Sequence, residues 1–154
     1  MDLSTTYLGL KLPHPLMPGA SPLVDDIDTV RKLEDASHCQ SFTKALTYFP
    51  RPEAFHLGPN EYLEHLRKVK QAVSVPVIGS LNGYTTGGWL EYAKLIQDAG
   101  ADALELNVFS LGTNPQESGA QMELRTVQMV QAVRKAVRIP VAVKLSPYYT
   151  SLAH

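Results

Sequence analysis

Two segments of the chain are near-copies of each other. Residues 69–82 read V-K-Q-A-V-S-V-P-V-I-G-S-L-N, and residues 133–146 read V-R-K-A-V-R-I-P-V-A-V-K-L-S. Each segment joins the end of an amphipathic helix to a turn that closes on Pro76 or Pro140, followed by a β-branched apolar run that ends in polar residues. A helix that leads into a buried strand is the repeating unit of parallel α/β proteins, and ligands bind at the carboxyl ends of such strands. The repeat therefore predicts a parallel α/β fold and directs the search for function to those polar ends.

Composition excludes several classes of partner. The chain has 154 residues, of which 44% are hydrophobic and 19% charged, with a formal net charge of −1, as expected for a single globular domain spanning residues 1–154. Near-neutral charge argues against binding to nucleic acid or to an anionic membrane surface, and no apolar run approaches the ~20 residues of a membrane span. The segment Met1–Ser4 lacks the features of a signal peptide. The single Cys39 allows no internal disulfide, which favours a cytoplasmic location, and no cluster of metal ligands is expected.

The remainder of the chain alternates helix and strand signals. The predicted strands are a hairpin arm over Thr5–Leu12 and four further strands at Leu16–Ser21, Val75–Leu81, Ala103–Val108 and Val141–Leu145. The predicted helices run from Ile27 to about Ala36, from Asn60 to Val73, from Trp89 to Asp98, and along a long segment ending near Val137. A closed (β/α)₈ TIM barrel takes about 250 residues, so the pattern predicts about half of a barrel or a small open sheet.

Residues 37–60 interrupt this rhythm. The β-branched run expected after the first helix is missing, and the segment contains Pro50, Pro52, Gly58 and Pro59. An irregular loop of this length is unusual in a compact domain. It is interpreted either as a functional lid or as the place where a strand is missing.

The last predicted strand contains a lysine. Because strands alternate their faces, Lys144 shares a face with Ala142 and Ser146, whereas Val143 and Leu145 face the other way. A buried ammonium group is costly unless it is paired. Lys144 is therefore either a solvated residue of an edge strand or a residue that faces an anionic ligand or cofactor.

Two earlier strands end in similar polar residues. Glu105 and Asn107 share one face of the preceding strand, so that Glu105 is a candidate partner for Lys144, while the Asn107 amide can donate and accept hydrogen bonds. Asn82 occupies the matching end in the first copy of the repeat, although Asn82-Gly83 is also a turn signal. The loop of residues 85–88 offers backbone amides for a phosphate but matches no known phosphate-binding fingerprint.

Four stretches together match the pattern of a known family. They are H-P-L-M-P-G-A-S at residues 14–21, P-V-I-G-S-L-N-G at 76–83, L-E-L-N-V at 104–108 and V-A-V-K-L-S-P at 141–147. On these residues the chain resembles the amino-terminal half of the dihydroorotate dehydrogenases, and most closely the bacterial dihydroorotate dehydrogenase-like proteins. The last stretch, which resembles the family's V-K-L-x-P strand, is the most specific match.

The resemblance implies a flavoprotein of pyrimidine metabolism. The family is built on a TIM barrel with FMN over the carboxyl ends of the strands, and it oxidises dihydroorotate by hydride transfer to the flavin. The resemblance implies that the residues at the flavin are Ala20 and Ser21 through their backbone, Asn82 and Asn107 through their amides, and Lys144 at the N1 and O2 edge of the ring. It also implies that Ser110 is the catalytic base and that Lys44, in Thr43-Lys44-Ala45, binds substrate.

The chain departs from the family at several positions. Leu111 and Gly112 follow Ser110 where the family has Pro-Asn, and Pro22 replaces a glycine. The family's carboxy-terminal half, with the glycine loops that hold the FMN phosphate, has no counterpart in this sequence.

Two functional hypotheses follow. One is an FMN-dependent oxidoreductase acting on a dihydropyrimidine, with self-association into a homo-oligomer. The other is a non-catalytic, degenerate half-barrel that persists only as an oligomer. A third, a barrel fragment acting on sugar phosphates, lacks any supporting pair of carboxylates or cluster of metal ligands.

Overall fold

The structure is a computed structural model that describes residues 2–19, 24–36, 59–82, 86–108 and 113–146.

The amino-terminal arm is a β-hairpin. Strands β1 (Thr5–Tyr7) and β2 (Leu10–Leu12) pair antiparallel, with Thr5 opposite Leu12. The two residues between them, Leu8 and Gly9, have φ angles of 54° and 80°. Positive φ at both positions is characteristic of the tight turns that join neighbouring strands, and the predicted hairpin is confirmed.

A three-stranded parallel sheet forms the centre of the fold. Its strands are β3 (Ile78–Leu81), β4 (Ala103–Val108) and β5 (Val141–Leu145), in the order β3-β4-β5. Both pairings are parallel, with Leu81 opposite Leu106 and Asn107 opposite Lys144. The predicted parallel α/β architecture is confirmed, and the predicted bounds of β4 and β5 match those observed.

Four helices lie in the described ranges: α1 (Ile27–Ala36), α2 (Pro59–Ala72), α3 (Thr86–Asp98) and α4 (Gly119–Ala136). The carboxylate of Asp26 accepts hydrogen bonds from the Thr29 side chain at 2.7 Å and backbone N–H at 2.8 Å, which lower its pKa and cap α1. Ser118 and Gln121 form a reciprocal capping box at the start of α4. None of these helices combines the length and apolar character needed to cross a membrane.

The core lies between the sheet and the helices α3 and α4. Its fully buried side chains include Ile96 of α3, Leu104 and Leu106 of β4, and Val133 of α4. Helices cover one face of the central strand β4, which explains why apolar Leu104, Leu106 and Val108 alternate with polar Glu105 and Asn107 along it.

Some predicted bounds differ from the structure. The strand predicted over Val75–Leu81 begins at Ile78 in the structure, because Pro76 has no N–H and the Val77 N–H donates to the Asp102 carboxylate at 2.7 Å. Helix α3 begins at Thr86, before the predicted Trp89, and α2 begins at Pro59, one residue before the predicted Asn60.

The predicted strand Leu16–Ser21 is not seen in its described part, since residues 16–19 form no strand. The rest of that strand and residues 37–58 lie outside the described residues.

Candidate functional site

Polar side chains form two rows across the three parallel strands. In the first row, Ser80 of β3 lies opposite Glu105 of β4, which lies opposite Ala142 of β5. In the second row, nearer the carboxyl ends, Asn107 lies opposite Lys144. Asn82 directly follows the Leu81–Leu106 pair, which brings it beside Asn107. The strand register therefore brings together three of the residues singled out in the sequence.

Both rows border one cavity of about 520 Å³. Its polar lining from the sheet consists of Ser80, Asn82, Glu105, Asn107 and Lys144. The apolar walls come from the segment after the hairpin, from α1 and from α2, and include Met17, Val30, Leu33, Leu66 and Val69. A mainly apolar cavity of this size with a few convergent polar groups is typical of a small-molecule site.

Lys144 lies on an exposed strand and also borders the cavity. Strand β5 is the edge of the described sheet, and Lys144 is exposed while Asn107 and Glu105 are half-buried. Glu105 and Lys144 form no ion pair within 4 Å, so the pairing suggested by the sequence is not seen in the structure. The ammonium group is thus available to an anionic or carbonyl oxygen of a ligand.

Tyr62 of α2 closes the cavity on the β3 side. Its hydroxyl accepts a hydrogen bond from the Ser80 N–H at 3.0 Å and donates one to the Ser80 carbonyl at 3.1 Å. Burial raises the pKa of the Tyr62 phenol. Tyr62 was not predicted as a site residue, although its spacing from Leu66, Val69 and Val73 places it on the apolar stripe of α2.

Two histidines line the same cavity. The Nδ1 atom of His14 accepts a hydrogen bond from the Leu16 N–H at 3.2 Å, and its buried Nε2 atom has no hydrogen-bond partner among the described residues. The Nε2 atom of His65 donates to the Val24 carbonyl at 2.6 Å, which attaches α2 to the segment before α1. Neither histidine was identified from the sequence, since each is defined by contacts that folding creates.

The other predicted site residues, Ala20, Ser21, Lys44 and Ser110, lie outside the described residues, and their roles stay predictions. Within the described ranges, no group of three or more histidine, cysteine, aspartate or glutamate side chains is arranged to hold a metal ion.

The chain was compared with protein families and known proteins. The family model for dihydroorotate dehydrogenase matches residues 56–154. A protein of Aeropyrum pernix assigned by name as a dihydroorotate dehydrogenase A (fumarate) is 28% identical over 94% of this chain and 53% of its own length. The NAD-dependent dihydropyrimidine dehydrogenase subunit PreA of Escherichia coli is 25% identical over 95% of this chain and 42% of its own length.

A solved dihydrodipicolinate synthase shares the fold, with a TM-score of 0.54 and 17% identity over 81% of this chain and 42% of that one. The chain spans about half the length of the curated relatives it matches. Since the family model covers most of the sequence, including the two strands that carry Asn107 and Lys144, the chain belongs to the dihydroorotate dehydrogenase family.

Proposed function

We propose that the chain acts in an FMN-dependent oxidoreductase that oxidises dihydroorotate or a similar dihydropyrimidine. The observation that carries this proposal is the row of Asn82, Asn107 and Lys144 at the edge of the cavity, in a member of this family. A (β/α)₈ barrel, a cytoplasmic location and assembly into a homo-oligomer belong to the same proposal.

The donor set in this row suits a flavin. Two side-chain amides can donate and accept hydrogen bonds, and an ammonium group donates and carries positive charge. A flavin ring presents carbonyl oxygens and ring nitrogens along one edge, and FMN supplies the acceptor for a hydride when it is bound. Lys144 would hold its charge against the N1 and O2 edge, while Asn82 and Asn107 would orient the ring.

The walls of the cavity would keep water away from the reacting atoms. Side chains of α1 and α2 such as Val30, Leu33 and Leu66 present hydrocarbon to the cavity. In such surroundings the half-buried Asn107 amide would bind a ligand more strongly than in open water.

Four further residues complete the proposal. By the family resemblance, Ser110 would remove the C5 proton of the substrate, Lys44 would contact the substrate, and the backbone of Ala20 and Ser21 would touch the flavin.

The test is titration of the purified protein with FMN over a range of protein concentrations, followed by absorption in the flavin bands. We expect binding to accompany self-association. Lys144→Met should weaken it about tenfold, because a charge-assisted hydrogen bond contributes on the order of 1.5–3 kcal/mol. The control is Lys94→Met, which removes the same charge from an exposed position on α3.

Three results decide the test. Equal affinities for the wild type and Lys144→Met would contradict the assigned role of Lys144. Absence of flavin binding at every protein concentration would contradict the flavoenzyme. A tight complex between FMN and a monomer would contradict the coupling of binding to self-association.

The non-catalytic alternative, like the flavoenzyme, requires a surface for self-association. Leu124 and Val127 of α4 are 57% and 51% exposed, and Val143 and Leu145 of β5 are 36% and 47% exposed. Apolar side chains of this size suit a surface that another protein covers. A flavin-free oligomer without dihydroorotate-dependent activity would support this alternative.

A further inference from the structure

At Ser80, the outer edge of β3 is bound by a side chain of α2. Successive residues of a strand direct their backbone groups to opposite edges. On the side of β4, the Val77 N–H donates to the Asp102 carboxylate at 2.7 Å, and the Val77 carbonyl accepts from the Asp102 N–H at 2.9 Å. Ser80 follows three positions later and directs its N–H and carbonyl to the opposite edge, where the Tyr62 hydroxyl binds both.

Tyr62 therefore satisfies both backbone groups that a neighbouring strand would use at this position. In the described part of the chain, no strand pairs with this edge of β3. A half-buried N–H and carbonyl without partners would be costly, and an open strand edge invites pairing with other chains. One hydroxyl removes both problems at Ser80.

We propose that Tyr62 is a positioning residue that replaces a neighbouring strand at the β3 edge and thereby holds Asn82 at the cavity. Asn82 lies two residues beyond Ser80 and is exposed, and it immediately follows the last paired residue of β3, Leu81. The contact from α2 restrains the strand two residues before Asn82. The role of Asn82 in this inference depends on the proposed flavin site, whereas the contact with Ser80 does not.

The first experiment is hydrogen exchange of individual amides in the wild type, Tyr62→Phe and Tyr92→Phe. Phenylalanine keeps the ring of Tyr62 and removes only the oxygen that binds Ser80. We expect the Ser80 amide to exchange about tenfold faster in Tyr62→Phe, while the Leu106 amide of the central strand keeps its rate. Tyr92 is a matched control, since it also packs against the core but its hydroxyl has no hydrogen bond in the described structure.

An unchanged rate at Ser80 would overturn the inference, and so would equal acceleration at Ser80 and Leu106, which signals global destabilisation. A measurement on the wild type covers the case in which Tyr62→Phe does not fold. A nuclear Overhauser contact between the ring ε protons of Tyr62 and the Ser80 amide proton is expected, and its absence would overturn the inference.

The second experiment measures FMN affinity in the same three proteins. We expect Tyr62→Phe to bind FMN three- to tenfold more weakly than the wild type and Tyr92→Phe to match the wild type. Faster exchange at Ser80 with unchanged FMN affinity would overturn the positioning of Asn82. If the wild type binds no FMN, the proposed function and the positioning of Asn82 both fail, and the exchange experiment still decides the contact with Ser80.

Discussion

Asp102 connects the beginnings of two neighbouring strands. Its carboxylate accepts hydrogen bonds from the Lys70 ammonium at 2.6 and 2.9 Å and from the Val77 N–H at 2.7 Å. Its own N–H donates to the Val77 carbonyl at 2.9 Å. Both partners of the ion pair are about one-third exposed, at 32% for Lys70 and 28% for Asp102. The hydrogen bond to the backbone therefore contributes more to stability than the ion pair, which solvent partly screens.

We expect Asp102→Ala to lower the free energy of unfolding by about 2 kcal/mol, because it leaves the Val77 N–H and the Lys70 ammonium without their shared acceptor. Asp102→Asn should lower the free energy of unfolding by about half as much, since the amide oxygen of asparagine can still accept from the Val77 N–H. Urea denaturation followed by circular dichroism measures both. Asp35→Ala, at an exposed position of α1, is the control and should change stability by less than about 0.5 kcal/mol.

Because the phenol of Tyr62 is largely buried, we expect the protein to lose stability at alkaline pH. Burial raises its pKa above the ordinary value of 10.0, so the unfolded chain loses this proton at a lower pH than the folded one. The contribution of protonated Tyr62 to the free energy of unfolding is fully present below pH 10.0 and disappears as the pH rises through the pKa of Tyr62 in the folded protein. In an absorbance titration at the tyrosinate band, Tyr62→Phe should lack a transition above pH 10.0, and loss of an earlier transition would contradict the assignment.

Only some residues of the candidate site were predictable from the sequence. Asn82, Asn107 and Lys144 were predicted because strand alternation and a repeated polar strand end are local signals. Tyr62 and Asp102 depend on contacts between positions 18 to 25 residues apart along the chain, which no local pattern specifies. The Glu105–Lys144 pairing had a local rationale, but the shared face of their strands did not bring the two groups within ion-pair distance.

At the scale of secondary-structure elements, the sequence repeat has a structural counterpart in its turns. The Glu34 carboxylate of α1 accepts hydrogen bonds from the Ser74 N–H at 2.7 Å and the Val75 N–H at 3.2 Å. In the second copy, the Gln97 amide oxygen of α3 accepts from the Arg138 N–H at 2.6 Å and the Ile139 N–H at 3.4 Å. In each copy, the turn before the proline follows α2 or α4 and is stabilised by a side chain of the helix before that one, α1 or α3.

We expect Gln97→Ala and Glu34→Ala each to lower the free energy of unfolding by about 1–2 kcal/mol, because each leaves two turn N–H groups without their acceptor. Glu34→Gln should lower the free energy of unfolding by less than half as much, since the amide oxygen of Gln97 already accepts from the turn N–H groups in the second copy. Thermal denaturation measures the series. Equal losses for Glu34→Gln and Glu34→Ala would show that the charge of Glu34, and not its acceptor oxygen, stabilises the turn.

The elements themselves were well predicted where the signal is local. The hairpin, α1, β4 and β5 match because acidic helix starts and β-branched runs specify them directly. The start of β3 was placed too early because V-S-V-P-V-I reads as strand, whereas a strand also needs a partner. At Val77 that partner is a carboxylate. Helix α3 was placed too late because glycines at 87 and 88 suggested a loop.

At the scale of the whole molecule, apolar side chains are exposed on β5, at the edge of the described sheet, and on α4. The exposed side chains of α4 and β5 lie on consecutive elements at the edge of the described sheet. An open strand edge next to exposed leucine and valine favours association with further protein. This supports the homo-oligomer in our proposal.

We expect Leu145→Lys to weaken self-association roughly tenfold, because a lysine on an edge strand opposes the approach of another apolar surface. Sedimentation velocity over a range of concentrations measures the change. Leu3→Lys is the matched control, since Leu3 is 56% exposed and belongs to neither β5 nor α4. A wild type that is monomeric throughout would contradict the proposed homo-oligomer.

Gly79 sets the distance between the sheet and the helix above it. A Cβ atom added at this position would overlap the Cγ2 atom of Ile96, and it would also touch Ala101 at 3.6 Å. Strand β3 thus approaches α3 closely because position 79 has no side chain, and the Cγ2 methyl group of Ile96 fills the space that a side chain would occupy. Positions 79 and 96 are consequently coupled: a larger residue at one is tolerated only with a smaller residue at the other, and relatives should vary there in pairs.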